Sequence, residues 1–147
     1  MRRLLRHAAK LGVTVHSARL EQGVLGEYYA DEREVYFDLR LTPAEQRSVL
    51  AHELGHAFHG HRYQCADNAV AERQADIYAA RLLIDPEEYA RHERVNPDQH
   101  YLAEELDVTV DVVYAFEAHC LQRVRGITYV RPKMGLGQWV YRAEVGA

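Results

Sequence analysis

Two histidines and a glutamate stand at the spacing that a metal centre on a helix requires. Residues 52–56 read HELGH, which is the pattern HExxH. Because residues four apart lie on one face of a helix, His52 and His56 can both point at one ion. Glu53 lies beside them, close enough to touch a metal-bound water without being a ligand. Two histidines leave a catalytic zinc site incomplete, since such sites usually have three protein ligands and a water.

A second pair of metal-ligating residue types follows at the same spacing. Glu72 and Asp76 are four residues apart in the segment AERQAD, so they share one face of a helix. A helix laid antiparallel to the first would bring Glu72 over the two histidines as a third ligand. Asp76, one turn further on, could accept a hydrogen bond from a ligand histidine and set its tautomer. Alternatively, both carboxylates form a solvated face and pair with Arg73 or Arg81.

The histidine pair follows a strong helix-start signal. Thr42 can cap a helix, Pro43 suits its first turn, and Glu45 can complete a capping box. These residues predict a helix from Pro43 to about Gly60. The same segment has a stripe of core-facing apolar residues, namely Val49, Leu50, Leu54, Ala57 and Phe58.

The carboxylate pair lies on a second predicted long helix. A loop around residues 65–68 precedes this helix, which is predicted over residues 70–84 and ends before Asp85 and Pro86. Shorter helices are predicted from there up to about Arg125. The segments ITYV and QWVY near the end of the chain are strand-like.

The N-terminal part predicts a helix followed by a small sheet. Residues 2–11 have leucine and alanine at helical spacing, and Gly12 suits a C-cap. Three runs rich in β-branched and aromatic residues then follow, at 13–20, 24–30 and 34–40. Their short separations predict a small antiparallel meander. The expected fold class is therefore α+β: an N-terminal helix, a small antiparallel sheet, two long helices that hold the metal site, and a helical C-terminal part.

Composition narrows the class of protein. The chain has 147 residues, is 48% hydrophobic and carries a net charge of −4, which predicts one globular domain over residues 1–147. The acidic balance argues against a non-specific nucleic-acid binder. Cys65 and Cys120 are the only two cysteines, so a disulfide framework is not expected and a reducing cytoplasm fits best. No apolar run suits a signal peptide or a membrane span, so no membrane partner is expected.

The segments HELGHAFHGH and AERQADIYAARLLIDP resemble the ImmA/IrrE family of small zinc-dependent metallopeptidases. The resemblance begins at the N-terminal helix and is strongest from about Thr42 to Pro86. It implies a thermolysin-like core in which His52, His56 and Glu72 hold zinc, with manganese as an alternative metal.

The same resemblance implies roles for the remaining residues and for a partner. Glu53 matches the general base of the family, and Asp76 matches an aspartate that supports a ligand histidine. Members of the family act inside cells and cut helix-turn-helix transcriptional repressors, often encoded on phages or integrative elements. The resemblance therefore implies a cytoplasmic anti-repressor peptidase whose partner is a protein substrate of that kind.

Several nearby residues have simpler interpretations. His59 and His61 suit an exposed helix end, where imidazolium favours the negative end of the helix dipole, with a contact to substrate or to a secondary metal as the alternative. Cys65 suits a plain loop position, with zinc ligation as the alternative. The outer strand of the sheet offers an edge to which an extended substrate peptide could add. A peptidase also needs a hydrogen-bond donor for the oxyanion of the transition state. Four candidates for this donor are considered, and the sequence does not choose among them: Tyr63, Tyr89, His92 and His119.

Two other classes of function compete with a peptidase. Residues 99–123 contain LAEELDVTVDVVYAF, which resembles the start of a helix-turn-helix and would make the protein a DNA-binding regulator. The first residues of the second helix are valines and Asp111, whereas base readout favours Arg, Lys, Asn or Gln, so a packing role is preferred. The other competing class is a zinc-containing protein without catalytic activity, that is, a sensor or interaction module that binds a repressor. Glu53 argues against that class, because a structural site needs no base.

Overall fold

The structure is a computed structural model that describes residues 1–62, 68–124 and 127–130, and its fold class is α+β, as predicted. The helices are α1 (Arg2–Lys10), α2 (Pro43–His59), α3 (Asn68–Leu83), α4 (Pro86–Val95), α5 (Gln99–Leu106) and α6 (Val110–Cys120). The strands are β1 (Thr14–Ala18), β2 (Gly26–Tyr29), β3 (Glu34–Asp38), β4 (Leu121–Val124) and β5 (Ile127–Val130). The chain forms two compact units, Met1–Ala79 and Ala80–Ala147. The single domain over residues 1–147 stays a prediction.

The sheet of the first unit is mixed, so the predicted antiparallel meander is wrong in one connection. The strand order is β1-β3-β2, with β1 parallel to β3 and β2 antiparallel to β3. The strands β1 and β2 are shorter than predicted, which leaves a connection from Arg19 to Leu25 that is too long for a tight hairpin. The central strand β3 buries Val35 and Phe37, and both neighbouring strands pair with it.

Helix α2 forms where the capping signals predict it. Thr42 accepts a hydrogen bond from the backbone N–H of Glu45, and the Glu45 carboxylate accepts one from the backbone of Thr42, which completes the capping box. The helix packs against β2 and β3. Its residues Leu50 and Leu54 are fully buried. This apolar contact fixes the rotation of α2 and leaves the opposite face for polar side chains.

A buried carboxylate holds the loops around the sheet together. Asp38, at the end of β3, is only 3% exposed. It accepts hydrogen bonds from the backbone N–H of Leu20 at 3.2 Å and of Arg40 at 2.8 Å, and from Arg40 Nε at 2.8 Å. The hydrogen bond from the Arg40 side chain is the main cause that holds the pKa of Asp38 well below its usual range.

The second unit is helical with a short β-ribbon. Asp85 caps α4 by accepting hydrogen bonds from the backbone N–H groups of Glu87 and Glu88. The helices α5 and α6 match the predicted helix-turn-helix segment, and Val113 and Phe116 of α6 are buried in the core of this unit. The valines at the start of α6 therefore serve packing rather than base readout.

The end of the helical region differs from the expectation. Helices were predicted up to about Arg125, but α6 ends at Cys120 and β4 begins at Leu121. The strand β4 pairs antiparallel with β5, and β5 covers the predicted strand ITYV. The other predicted strand, QWVY, lies outside the described residues. Within the part of the chain that the structure describes, none of the helices has the length and apolar composition needed to cross a membrane.

Replacement of Asp38 by asparagine should destabilise the first unit. The ionised carboxylate is stabilised in the folded state, so its contribution is full above the unfolded-state pKa of about 4 and is lost as the pH falls below it. We expect Asp38→Asn to lower the midpoint of thermal unfolding by several degrees near neutral pH. The difference from wild type should shrink as the pH approaches 3.

Asp31→Asn is the matched control for this measurement by circular dichroism. Asp31 pairs with Arg62 at 3.4 Å, but both side chains are more than two-thirds exposed, at 79% and 72%. An exposed pair of this kind contributes little to stability. Equal midpoints for the Asp38→Asn protein and the wild type, or a difference that grows in acid, would contradict the role assigned to Asp38.

Candidate metal centre

Helix α2 presents His52 and His56 to the same side. The two residues are one turn apart, and their Nε2 atoms lie 3.0 Å from each other. Both rings are partly buried, with His52 at 24% and His56 at 13% side-chain exposure. Two imidazole nitrogens therefore converge on one point beside the helix, as the HExxH spacing predicts.

Helix α3 adds the third donor. Glu72 Oε2 lies 3.2 Å from His52 Nε2, and Glu72 Oε1 lies 3.5 Å from His56 Nε2. One ligand atom from each of the three residues lies within 4.8 Å of the others, a group that could hold a metal ion. The structure thus brings together the three residues that the sequence predicts as ligands.

The donor set fits a divalent metal. Neutral imidazole and carboxylate are ligands that zinc prefers, and a pair of histidines with one glutamate is a known set in catalytic zinc sites. The two nitrogens and the carboxylate oxygens all face one another. When each histidine carries its single proton on Nδ1, the lone pairs of these atoms have no donor between them. A cation at this point satisfies all three groups at once.

The approach of the two helices depends on a glycine. A Cβ atom added at Gly55 would lie 2.7 Å from Ala75 Cα and 3.0 Å from its carbonyl oxygen. These are backbone atoms, so they cannot rotate away as a side chain would. Gly55 is next to His56, and Ala75 lies between Glu72 and Asp76 along α3. The close contact therefore sets the distance between the two pairs of candidate residues.

Asp76 orients His52. Its Oδ1 atom lies 2.9 Å from His52 Nδ1. Since an ionised carboxylate can only accept, Nδ1 of His52 carries a proton and donates it to Asp76. In the neutral ring, Nε2 is then left with its lone pair towards Glu72. Burial acts to lower the pKa of His52, but the hydrogen bond to Asp76 and nearby carboxylate charges raise it overall. The placement of Asp76 is the one predicted from the sequence.

His61 and Gln74 lie behind His56, and of these two residues Gln74 was not singled out from the sequence. His61 Nδ1 lies 3.0 Å from His56 Nδ1, and Gln74 Oε1 lies 2.9 Å from His61 Nε2. His61 was expected at an exposed helix end, but it is half-buried, whereas His59 is exposed as expected. The signal was Gly60, whose left-handed backbone (φ 68°) turns the chain back over α2. Burial is the main cause that lowers the pKa of His56 to about 4, so its ring is neutral at neutral pH.

Glu53 lies in a cleft beside the three donors. The cleft is also lined by Gly26, Tyr28, Arg62 and Asn68. A Cβ added at Gly26 would lie 3.3 Å from Glu53 Oε1 and 2.3 Å from Val49 Cγ1, so glycine lets β2 lie close against α2. Burial is the main cause that raises the pKa of Glu53 to about 7, with His52 opposing and Glu72 assisting the rise. The carboxylate is thus desolvated but open to the cleft.

The structure gives contacts for two of the other residues singled out in the sequence, Tyr89 and His92. Cys65 and Tyr63 lie outside the described residues. Tyr89 donates its hydroxyl hydrogen to Glu117 Oε1 at 2.8 Å within the second unit. His92 Nδ1 lies 3.6 Å from Glu105 Oε2 in the same unit. The residue that would stabilise an oxyanion stays unassigned.

Comparison with known proteins gives one family. The family model described as Peptidase_M78, IrrE N-terminal-like domain, matches residues 8–116. This range is more than half of the 147 residues and includes every candidate ligand. A search of curated proteins finds no match.

Replacement of Glu72 by glutamine should weaken metal binding. The amide keeps the size of the side chain but loses the charge, and its oxygen is a poorer ligand. We expect the zinc affinity to fall by more than the roughly 10–100-fold that loss of a supporting hydrogen bond costs. Competition with a chromophoric chelator measures this. Glu88→Gln, at an exposed glutamate of α4, is the matched control. Equal affinities for the two variants would remove Glu72 from the ligand set.

Replacement of Gly55 by alanine tests the helix approach. Alanine is the better helix former by about 1 kcal/mol, so propensity alone predicts a more stable protein. The contact with Ala75 predicts the opposite, an overpacking cost of about 1–3 kcal/mol. We expect lower stability in urea unfolding together with at least tenfold weaker zinc binding.

Ala44→Gly in the first turn of α2 is the control for lost stability. It lowers helix propensity by up to about 1 kcal/mol and leaves the contact between Gly55 and Ala75 intact. Its zinc affinity should stay within about twofold of wild type, since no ligand is moved. A Gly55→Ala protein that is more stable than wild type and binds zinc normally would contradict the close contact between Gly55 and the Ala75 backbone.

Proposed function

The chain belongs to the Peptidase_M78 family, that of the IrrE N-terminal-like domain, and we propose that it is a metallopeptidase that cuts a protein substrate. The observation that carries the proposal is the convergence of His52, His56 and Glu72 on one point in an open cleft. A structural metal site is usually closed by four protein ligands, whereas a catalytic site has three and keeps one position for water or substrate. Three described donors together with a cleft fit the catalytic kind.

The proposed metal is zinc, with manganese as the alternative. His52, His56 and Glu72 would hold it. The bound ion supplies Lewis acidity, both towards water and towards the carbonyl of the bond to be cut. The donor set of two nitrogens and one carboxylate supports zinc first, since imidazole suits zinc well.

Glu53 is the proposed general base. It follows the first ligand in sequence and faces the same cleft, yet its carboxylate does not belong to the converging donor group. A carboxylate so placed can take a proton from the attacking water and deliver it to the leaving amine. A Cβ at position 26 would lie 3.3 Å from the Glu53 Oε1 atom, so Gly26 leaves room for this carboxylate. Asp76 keeps His52 in the tautomer that a ligand requires.

An extended segment of the substrate is proposed to bind beside β2. The strand order β1-β3-β2 leaves β2 at the edge of the three-stranded sheet. Gly26 and Tyr28 of this strand line the cleft that holds Glu53. A peptide that adds to the free edge would form backbone hydrogen bonds and pass over the donors. This arrangement supports endopeptidase action on a flexible part of a protein.

The proposed substrate is a helix-turn-helix transcriptional repressor, which would make the protein an anti-repressor that acts in the cytoplasm. The support for this step is the resemblance of HELGHAFHGH and AERQADIYAARLLIDP to the ImmA/IrrE family. A repressor encoded next to the gene, as on a phage or mobile element, is the first candidate to test.

Replacement of Glu53 by glutamine should abolish cleavage but leave metal binding intact. General acid–base groups typically contribute about 10²–10⁴-fold to a rate, so we expect a loss of at least a hundredfold in cleavage of the adjacent repressor, followed by gel electrophoresis. Zinc content by mass spectrometry should match wild type, because Glu53 is not a proposed ligand. Glu88→Gln should cleave normally.

The same pair of measurements separates the peptidase from a sensor that only binds. If the wild type loads zinc and binds the repressor without cutting it, and Glu53→Gln behaves alike, the non-catalytic sensor is correct. Cleavage by the Glu53→Gln protein at the wild-type rate would remove Glu53 from the mechanism.

A further inference from the structure

We infer that Gln74 and His61 form a hydrogen-bonded relay that holds His56 in the tautomer needed for metal binding. The relay is a chain of two contacts on the side of His56 that faces away from Glu72. Gln74 Oε1 lies 2.9 Å from His61 Nε2, and His61 Nδ1 lies 3.0 Å from His56 Nδ1. Gln74 and His61 are thus positioning residues. The inference rests on the proposed function, because it concerns a proposed ligand.

The positions of the protons follow from the chemistry of each atom. The amide oxygen of Gln74 can only accept, so His61 Nε2 must carry a proton and donate. A neutral imidazole has one proton, which makes His61 Nδ1 an acceptor. Since His56 Nδ1 lies next to this acceptor, it must carry the proton between them. His56 Nε2 is then left with its lone pair, and this is the atom that faces His52 and Glu72.

The backbone places His61 where the relay needs it. Gly60 ends α2 in a left-handed conformation, with φ 68°. The chain then turns back, and the backbone N–H of His61 donates to the carbonyl oxygen of His56 at 3.0 Å. His61 is therefore tied to His56 twice, once through the backbone and once through the ring. A plain helix end would have left the ring in solvent.

The relay mirrors the contact on the other histidine. Asp76 Oδ1 holds His52 by its Nδ1 atom at 2.9 Å, and the relay holds His56 by the same kind of atom. Both side chains that act from α3, Asp76 and Gln74, lie on the helix that also supplies Glu72. Helix α3 thus provides the proposed ligand Glu72, the residue that contacts His52 directly, and the residue that acts on His56 through His61.

His59 serves as the comparison residue. Its ring stacks on that of His61 at a centroid distance of 5.3 Å. Within the described residues it has no hydrogen bond to His52 or His56. It has the same chemistry as His61 and lies two positions away. Removing it takes away one stacking partner of His61 but leaves both hydrogen bonds of the relay in place.

The relay is tested first by the tautomers of the metal-free protein of 147 residues. Long-range ¹H–¹⁵N correlation spectra distinguish protonated from unprotonated ring nitrogens, recorded above the ordinary imidazole pKa of about 6.5. We expect a proton on Nδ1 of His56 and on Nε2 of His61. A proton on Nε2 of His56 would overturn the inference.

Substitutions of exposed Gln74 then test the direction of the relay. Gln74→Glu keeps an acceptor, Gln74→Met removes it at similar length, and Gln74→Lys offers only a donor. With glutamate at position 74 we expect His56 to keep its proton on Nδ1. With methionine we expect a mixture of the two tautomers, and with lysine we expect the proton to lie on Nε2. Zinc affinity by chelator competition should fall about 3–10-fold with methionine and about 10–100-fold with lysine. Wild-type tautomer and affinity in Gln74→Lys would overturn the inference.

Removal of His61 completes the test. We expect His61→Ala to weaken zinc binding about 10–100-fold, whereas His59→Ala should stay within about twofold of wild type. Equal losses in the two variants would show a general effect of histidine content and overturn the relay. The tautomer spectra need neither metal nor substrate. A protein that shows the expected tautomers but cleaves no repressor therefore supports the relay and contradicts only the proposed function.

Discussion

The contact between α2 and α3 at Gly55 and Ala75 is the constraint on which the candidate site depends. Two helices that carry ordinary side chains at their crossing lie about 8–10 Å apart between axes. Gly55 removes the side chain at that crossing, and a Cβ there would meet the backbone of Ala75. The short reach of Glu72 and Asp76 then suffices to contact His52 and His56. The chemistry of the site is therefore a consequence of how closely the backbones pack.

The packing of α2 on the sheet is the second constraint on the candidate site, because it fixes the rotation of α2 about its own axis. Leu50 and Leu54 are buried against the first unit's core together with Val35 of β3. This burial sets the rotation of the helix, so the histidines emerge on the face that α3 meets. Gly26 allows β2 to lie against the same helix at Val49 and Glu53. Two glycines, one for each neighbour of α2, thus bring a helix and a strand within reach of the same short segment.

The site residues were predictable because their geometry is local, whereas the sheet and the relay were not. His52 and His56, like Glu72 and Asp76, sit at helical spacing, and spacing within a helix needs no knowledge of the fold. The parallel pairing of β1 with β3 joins strands that are not consecutive in the chain, so sequence order suggested the wrong neighbour for β1. The position of the His61 ring depends on the turn at Gly60 and on a contact with Gln74 of the next helix, and the second of these is not local in sequence. The end of α6 was also missed, since β4 forms by pairing with a strand further along the chain.

The two histidines are held by partners of different charge, and this difference has a physical consequence. Each anionic group near a metal reduces the positive charge with which the ion polarises a carbonyl. Glu72 and Asp76 already place two carboxylates beside the donors, and Glu53 adds a third in the cleft. A carboxylate behind His56 would orient the ring of this histidine equally well, but it would be the fourth carboxylate near the donors. In the proposed relay, Gln74 and His61 would orient that ring without a further carboxylate, so a bound ion would keep more of its Lewis acidity.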